Sequence, residues 1–366
     1  MNKKNSKPTA KKSAPKKKVA GPRVESLKVK KFATEKTAVS AAKGSSFAAA
    51  RAAKMDEFYT QLADIERELS NYQGHFKGKT VYCNCDDPRV SGFVHYFSYN
   101  FERLGLTKLI ATCYKNQNKD LFSQHDSERA VKLVYTGDKN GSGVPDPSEF
   151  EVELLQEDGD FRSLESVELL KQADIVVTNP PFSLFREYVS QLNKYDKKFI
   201  IVGNHNAITY KEIFHLIRDN KMWLGNTSGD MKFRVPDHYA PRDTRYWVDA
   251  EGNKWRSMGN ACWFTNLDFP RRHENLILYK TYNDTKYPKF DSYEAINVNK
   301  VSDIPLGYKG VMGVPITFLN KYNPQQFEII GIDRYVKDNP NYGKRFTIGG
   351  QEIYARILIK YRSRAV

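Results

Sequence analysis

The residues best suited to chemistry stand at the end of a predicted buried strand, in the segment ADIVVTNPPF (residues 173–182). There an apolar run ends in Asn179, which is followed by Pro180, Pro181 and Phe182. Neither proline has a backbone N–H to donate, and each fixes its own φ angle and restricts the preceding residue to extended conformations. The segment therefore predicts a stiff turn that presents two acceptors close together, the Asn179 side-chain oxygen and the Pro180 carbonyl.

Two adjacent acceptors suit a ligand that carries two hydrogens on one nitrogen, such as the exocyclic amine of a purine. Accepting both N–H bonds draws that nitrogen toward tetrahedral geometry and stabilises the positive charge that develops when it attacks an electrophile. Phe182 is placed to stack on the face of the base. A turn with a packed aromatic ring is the alternative interpretation of an isolated NPP.

Short apolar segments alternate with helical patterns around this turn. Strands are predicted at 80–85, 108–114, 173–178 and 198–203, and helical periodicity is present in 56–72, 90–105, 184–195 and 210–220. Strands that alternate with helices imply a parallel sheet covered on both faces. Ligands bind such sheets outside the carboxyl ends of the strands, so Asn179 falls in the ligand-binding zone. The turn-rich segment 136–150 is predicted to be a surface excursion.

The net charge of +15 is concentrated at the N-terminus, since residues 1–54 carry 16 Lys and Arg against two Glu. With almost no large apolar residues, that segment cannot offset its ordering entropy and is predicted to be a disordered basic arm. The remaining chain divides into a mildly acidic part, 55–279, and a basic, Tyr-rich part, 280–366, with a net charge of +6. We predict a catalytic domain in the first part and a mostly β domain in the second.

Several classes of protein are disfavoured by composition. No apolar run reaches the eighteen or so residues that a membrane span requires, and the lysine-rich N-terminus lacks the apolar core of a secretion signal. A cytoplasmic protein without a membrane partner is therefore expected. The four cysteines are too few and too irregular for a disulfide framework, and they are interpreted as reduced thiols. No metal site is predicted.

The motif TNPPF resembles the catalytic motif of DNA amino-methyltransferases, and its Asn-Pro-Pro-Phe form is typical of those that methylate adenine N6. Five segments are similar, in this order, to the EcoRI-type modification methyltransferases: DEFYTQ, VYCNCDDPRVS, LGLTKLIATCY, DIVVTNPPFSLFREYV and GNACWFTNL. The resemblance covers about residues 55–280. It implies an α/β fold with a Rossmann-like, S-adenosylmethionine-dependent methyltransferase sheet and helices on both faces. A smaller, mostly β C-terminal region for target recognition would follow.

The resemblance also implies a set of cofactor-binding residues. They are Phe58, Tyr59 and Thr60 near the methionine part of the cofactor, Asn84, Cys85, Asp86 and Asp87 at the first strand end, and Asp160 and Phe161 as the acid–aromatic pair around the cofactor's adenine. A simple surface turn is the alternative for the last pair. The first strand end lacks the family's usual glycines, so side chains must replace the backbone cradle there. No acidic residue ends the second strand to bind ribose.

Other residues are expected at the DNA. Trp263 and Phe264 match a late motif whose aromatic packs near the target base, although two core aromatics on an antiparallel strand are the alternative. The order of the motifs places target recognition in 280–366. Its candidate DNA contacts are Lys344, Arg345, Arg356, Lys360, Arg362 and Arg364, with ordinary solvated charges as the alternative.

The sequence thus predicts a site-specific adenine-N6 methyltransferase that acts on a base rotated out of duplex DNA. Double-stranded DNA is the expected partner, which would also place the protein at the nucleoid. A cognate restriction endonuclease acting on the same site is a further candidate partner, and a monomer is expected. The alternatives are methylation of RNA adenine or of protein glutamine, and a catalytically silent DNA-binding protein of the same fold. A nuclease is less favoured, because the acidic residues lack the required spacing.

Overall fold

The computed structural model describes residues 58–85, 87–114, 130–235, 237, 239–337 and 342–362. The predicted arm at 1–54, Asp86 and Arg364 lie outside the described residues. The strands are β1 Tyr59–Thr60, β2 Thr80–Asn84, β3 Lys108–Thr112, β4 Val131–Tyr135, β5 Phe150–Leu154, β6 Ile175–Thr178, β7 Lys198–Asn204, β8 Trp223–Leu224, β9 Met231–Arg234, β10 Tyr246–Val248, β11 Lys254–Met258, β12 Ala261–Thr265, β13 Ile296–Asn297, β14 Met312–Pro315, β15 Phe327–Ile332, β16 Thr347–Ile348, β17 Gln351–Glu352 and β18 Arg356–Tyr361. The α-helices are α1 Leu62–Leu69, α2 Gly92–Tyr99, α3 Phe101–Leu104, α4 Leu164–Gln172, α5 Phe185–Lys194 and α6 Lys211–Arg218.

The largest sheet has eight strands in the order β5-β4-β3-β2-β6-β7-β12-β8. The pairs β2–β3, β2–β6 and β6–β7 are parallel, so the carboxyl ends of these four strands meet at one edge. All four were predicted as strands, and the α/β class with a large sheet is confirmed. The prediction of a parallel sheet is wrong for the outer strands. The strands β4, β5, β12 and β8 pair in antiparallel fashion, and the turn-rich segment joins β4 to β5.

The helices form because their apolar residues recur on one side. In α5 the buried residues Phe185, Tyr188, Val189 and Leu192 follow the i, i+3, i+4, i+7 pattern of a single stripe. The helix α2 begins after Ser91, whose hydroxyl accepts a hydrogen bond from the Phe93 amide at 3.2 Å. In the described part of the chain, no helix has the length and apolar character needed to cross a bilayer.

Helices cover both faces of the large sheet. Tyr82 and Val176 belong to one hydrophobic core, together with residues of α4, α5 and α6. Their neighbours Val81 and Val177 belong to a second core, with α1, α2 and α3. Successive residues of a strand point to opposite faces, so burial on both sides explains the continuous apolar runs of these strands.

Three smaller sheets complete the described part, namely the two-stranded pair β16–β17 and two four-stranded sheets. The C-terminal sheet has the order β13-β14-β18-β15, and its inner residues share the first core with α6. The other four-stranded sheet, which we call the small sheet, has the order β1-β9-β11-β10 and is antiparallel throughout. It joins the N-terminal strand to residues 231–258. The division into domains at residue 280 stays a prediction.

Candidate active site

The carboxyl ends of β2 and β6 are tied together by hydrogen bonds of Asn84, a buried residue. The Thr178 hydroxyl donates to the Asn84 backbone carbonyl. The Tyr188 hydroxyl, on α5, donates to the Asn84 side-chain oxygen. These side-chain hydrogen bonds extend the contact between β2 and β6 beyond the backbone pair Tyr82–Val176. Asn179 is the next residue after β6.

The orientation of the Asn179 amide is fixed by one contact. Its Nδ2 donates to the Phe58 carbonyl oxygen at 2.5 Å. A carbonyl only accepts, so the amide nitrogen must face Phe58 and Oδ1 must point elsewhere. Asn179 is only 7% exposed, and Oδ1 meets no hydrogen-bond partner among the described residues. An unsatisfied buried acceptor costs about 1–3 kcal/mol, so this oxygen favours a donor that comes from a ligand.

The two prolines lead directly into a helix. The Pro181 carbonyl accepts from the Leu184 amide at 2.9 Å and starts a short 3-10 turn, Phe182–Leu184, which runs into α5. The Phe182 ring lies 5.5 Å from the Phe58 ring at 34° and is 6% exposed. In this structure Phe182 therefore packs against Phe58, and its stacking on a base stays a prediction.

The N-terminal residues Phe58, Tyr59 and Thr60 lie beside the strand end, where the Phe58 carbonyl contacts Asn179, and their contact with a cofactor stays a prediction. Tyr59 and Thr60 form β1, and a cleft of 690 Å³ opens next to them. Its walls include Tyr59, Thr60, Arg89, Gly92, Tyr99 and Arg234. A Cβ on Gly92 would lie 2.8 Å from the Thr60 carbonyl, so only glycine lets α2 approach β1 this closely. The buried Thr60 hydroxyl finds no partner among the described residues.

The loop after β2 contains one strained residue and one internal ion pair. Cys85 adopts φ of 93°, a conformation that glycine usually supplies. The buried Asp87 carboxylate accepts from the Arg89 amide at 3.0 Å and from its guanidinium at 2.5 Å. Asp87 thus lies at the predicted strand end, but its charge is already balanced within the loop.

Asp160 and Phe161 lie at the carboxyl end of β3. Gly159 has φ of 76°, and a Cβ there would lie 2.1 Å from the Cys113 carbonyl oxygen, which places this loop directly against the strand end. Phe161 is buried and meets the Tyr188 ring edge-on, with centroids 5.0 Å apart. Tyr188 therefore contacts both Phe161 and Asn84 and lies between them.

The Asp160 carboxylate is paired with Arg162 at 2.7 Å, and Arg162 also contacts Glu187 at 2.9 Å. Hydrogen bonding to Asp160 raises the pKa of Arg162. Like Asp87, Asp160 has an internal cationic neighbour at the predicted cofactor edge.

Trp263 and Phe264 lie in β12, where successive residues face opposite cores. The Trp263 ring meets Phe93 edge-on at 6.2 Å, and Phe264 contacts Phe185 at 4.9 Å. Trp263 is 1% exposed and Phe264 is fully buried. The structure therefore favours the alternative of two core aromatics on an antiparallel strand over a contact with the target base.

The candidate DNA contacts of the C-terminal region differ in exposure. Lys344 and Lys360 are exposed, whereas Arg345 is half-buried, 3.5 Å from Glu352. Arg356 is buried, and its Nε donates to the Asn297 side-chain oxygen at 2.9 Å. Burial lowers the pKa of Arg356. A guanidinium held inside the sheet in this way favours a structural role over a groove contact.

Sequence reasoning missed several residues at this edge. Thr178 and Tyr188 were not singled out, although a polar residue ending a buried strand and a tyrosine on an apolar helix stripe are recognisable signals. His205 follows β7, and its Nε2 meets no partner among the described residues. Burial lowers the pKa of His205, so the ring is neutral near pH 7. The contribution of residues 231–258 was also missed.

No group of His, Cys, Asp or Glu within the described ranges has a geometry suited to a metal ion. Among the described residues, the cysteines Cys83, Cys85, Cys113 and Cys262 form no disulfide bond. Burial raises the pKa of Cys262, which keeps this thiol protonated.

Comparisons with known proteins agree with the motifs. The family model for the adenine-specific methyltransferase EcoRI matches residues 46–362. The chain is 52% identical to the Type II methyltransferase M.EcoRI of Escherichia coli, over 85% of this chain and 94% of that protein. It is 38% identical to M.MgeORF184P of Mycoplasma genitalium, over 86% and 98% of the two chains. Identity to M.MpnI of Mycoplasma pneumoniae is 36%, over 87% and 99%. No solved structure matches. The predicted resemblance is confirmed, and the chain belongs to the EcoRI family of adenine-specific methyltransferases.

Proposed function

We propose that this protein transfers a methyl group from S-adenosylmethionine to N6 of an adenine rotated out of duplex DNA. The observation that carries the proposal is the Asn179 amide, held by Phe58 so that a buried, unsatisfied oxygen remains at the strand end. Family membership supports the reaction class, and the curated relatives are Type II methyltransferases. A Rossmann-like arrangement, with parallel strands converging on this edge, is part of the same proposal.

The proposed chemistry uses the two acceptors of the turn. Asn179 Oδ1 and the Pro180 carbonyl accept the two N6 hydrogens and stabilise the positive charge that grows on nitrogen. Bound S-adenosylmethionine would supply the methyl group and keep the electron pair of the S–CH₃ bond on sulfur, and N6 would release one proton to solvent once methylated. Because Asn179 and Pro180 act through preorganised dipoles, the proposed methyl transfer to N6 needs no general base.

The residues present fit the proposed cofactor. A cleft of 690 Å³ is within the range of small-molecule sites, and Thr60, whose hydroxyl has no partner among the described residues, is one of its lining residues. Tyr59 and Thr60, which line this cleft, would hold its methionine part. Asn84 to Asp87 would contact it at the first strand end, and Phe161, which lines a separate cleft, would contact its adenine. When bound, the cofactor supplies an electrophilic methyl group on a sulfonium. Because Asp87 and Asp160 are paired with arginines, we propose that they shape the pocket as well as contact the ligand.

The substitution Asn179→Ala tests the proposal. We expect purified wild-type protein to transfer labelled methyl groups to adenine in mixed-sequence duplex DNA. In the variant, the rate of this transfer should fall by a factor of about 100 or more. Asn193→Ala, an exposed asparagine on α5, is the matched control and should retain activity. Circular dichroism would establish that both variants fold.

The same labelled assay distinguishes other substrates. RNA and protein should receive far less label than DNA. Wild-type protein that binds the cofactor but leaves every adenine unmodified would contradict the proposal, and preferential labelling of RNA or of glutamine would redirect it.

The remaining predictions follow from this activity. A protein that modifies DNA would work in the cytoplasm at the nucleoid, and a Type II system would pair it with an endonuclease for the same sequence. A monomer stays a prediction, which sedimentation of the purified protein would check.

A further inference from the structure

The small sheet carries a row of aromatic and basic residues across all four of its strands. Its register pairs Tyr59 with Arg234, Arg234 with Trp255, and Trp255 with Trp247. Residues directly opposite in an antiparallel sheet share a face, so these four side chains form one continuous row. Lys232, two residues before Arg234, is exposed on the same face.

The opposite face of this sheet is anchored at the candidate active site. There Phe233 is fully buried, 5.6 Å from the Phe58 ring. The Phe58 carbonyl in turn holds Asn179. The small sheet that carries the row is therefore linked through Phe58 to the proposed catalytic amide, which follows β6 of the large sheet. Tyr59 and Arg234 also line the cleft beside β1.

The surface at the end of the row suits flat, anionic partners. The rings of Trp247 and Trp255 are parallel within 7°, with centroids 6.2 Å apart, and Trp247 is 36% exposed. The Trp255 indole donates to Asp249 at 2.7 Å, and the Asp230 carboxylate contacts Arg245 at 3.2 Å. These carboxylates thus already have partners, as does Asp64, which lies beside Lys232 and pairs with Arg67 at 2.5 Å. The row itself presents one cation, Arg234, between Tyr59 and Trp255.

We infer that Arg234, Trp255 and Trp247 of this row, together with Lys232, bind the DNA that flanks the target adenine, whereas Tyr59 at the inner end belongs to the proposed cofactor cleft. Three strands at about 4.8 Å spacing span about 10 Å, comparable to about three nucleotides at ~3.4 Å rise. Lys232 and Arg234 would contact phosphates, and the exposed Trp247 would contact a sugar or base. The inference rests on the proposed function and adds a DNA-binding surface to it, outside the C-terminal region that sequence alone favoured.

The variants Lys232→Ala and Trp247→Ala test this surface by the binding of labelled duplex DNA over a series of salt concentrations. Lys232→Ala should weaken binding about tenfold and reduce the slope of log K against log salt by about 0.9, because one phosphate contact is lost. Trp247→Ala should weaken binding about tenfold at an unchanged slope, since stacking releases no counterion. Trp247→Phe should retain most of the affinity.

The matched control is Lys171→Ala, since Lys171 lies on α4, which packs on the other core. It should bind DNA like the wild type. Wild-type affinity and slope in both test variants would overturn the inference, and so would loss of affinity for S-adenosylmethionine in parallel with DNA, which would make the row a cofactor wall. Binding is measured without turnover, so a wild-type protein that binds DNA through this row but transfers no methyl group would contradict the proposed function alone.

Discussion

At the scale of single residues, Asn84 shows how donors and acceptors fix a site. Sequence placed Asn84 in the cofactor loop, but its partners were not visible. Its backbone carbonyl accepts a hydrogen bond from the Thr178 hydroxyl, and its side-chain oxygen accepts one from the Tyr188 hydroxyl. Because the same Tyr188 ring supports Phe161, one tyrosine connects the end of β2 with the loop that follows β5. The geometry of the proposed cofactor edge should therefore depend on a residue that makes no predicted contact with ligand.

Tyr188→Phe tests this dependence. Removing the hydroxyl leaves the buried Asn84 oxygen without its donor, which should lower the free energy of unfolding by about 1–2 kcal/mol. The released Asn84 should also weaken binding of S-adenosylmethionine several-fold, with DNA affinity unchanged. Urea denaturation and calorimetry measure the two effects. Tyr354→Phe, at an 81% exposed tyrosine, is the control, and wild-type cofactor affinity in Tyr188→Phe would contradict the assigned role.

At the scale of elements, the sequence predicted the strands, helices and turn that depend on residues close together in the chain. The four parallel strands and the stripes of α1, α2, α5 and α6 follow from periodicity, and the turn after β6 follows from its prolines. The small sheet could not be predicted this way, because Tyr59 pairs with Arg234 across 175 positions of chain. Arg356 shows the converse limit. A basic residue in a short strand looks solvent-exposed, but partners distant in sequence, such as Asn297, allow its burial.

Asp333, the residue that follows β15, is expected to make the stability of the fold depend on pH. Asp333 is fully buried, and burial raises its pKa to about 6 from an ordinary 3.8. Between about pH 4 and pH 6 the folded protein therefore keeps a proton that the unfolded chain releases, so this residue makes stability fall as pH rises through that window. Asp333→Asn stays neutral, and its stability relative to wild type should rise by about 2–3 kcal/mol from pH 4 to pH 6.5.

Denaturation of both proteins across this range measures the difference. Asp249→Asn is the control, because a hydrogen bond from Trp255 lowers the pKa of Asp249 to about 2, below the window. Parallel pH profiles for wild type and Asp333→Asn would show that Asp333 is ionised throughout.

At the scale of the whole molecule, charge and chemistry are separated along the chain. Residues 1–54 hold nearly all of the net charge, whereas residues 55–279 are mildly acidic and contain every residue of the proposed reaction. A methyltransferase that must find its site among many others needs both long-range attraction to phosphate and local contacts near the target. We assign the local contacts to the row on the small sheet and to exposed lysines such as Lys344 and Lys360. The arm would supply attraction that is independent of sequence.

Deletion of residues 1–54 separates these two contributions. The 16 basic residues of the arm are expected to release counterions on binding, so the deletion should weaken binding to non-target DNA at low salt and make its salt dependence shallower. Methyl transfer at saturating DNA should be unchanged, because the sheet edge with Asn179 remains intact. Binding and single-turnover methylation at low and high salt measure both. Replacing the deleted segment with an uncharged linker of equal length controls for length, and a fall in saturated turnover would instead place the arm in the catalytic step.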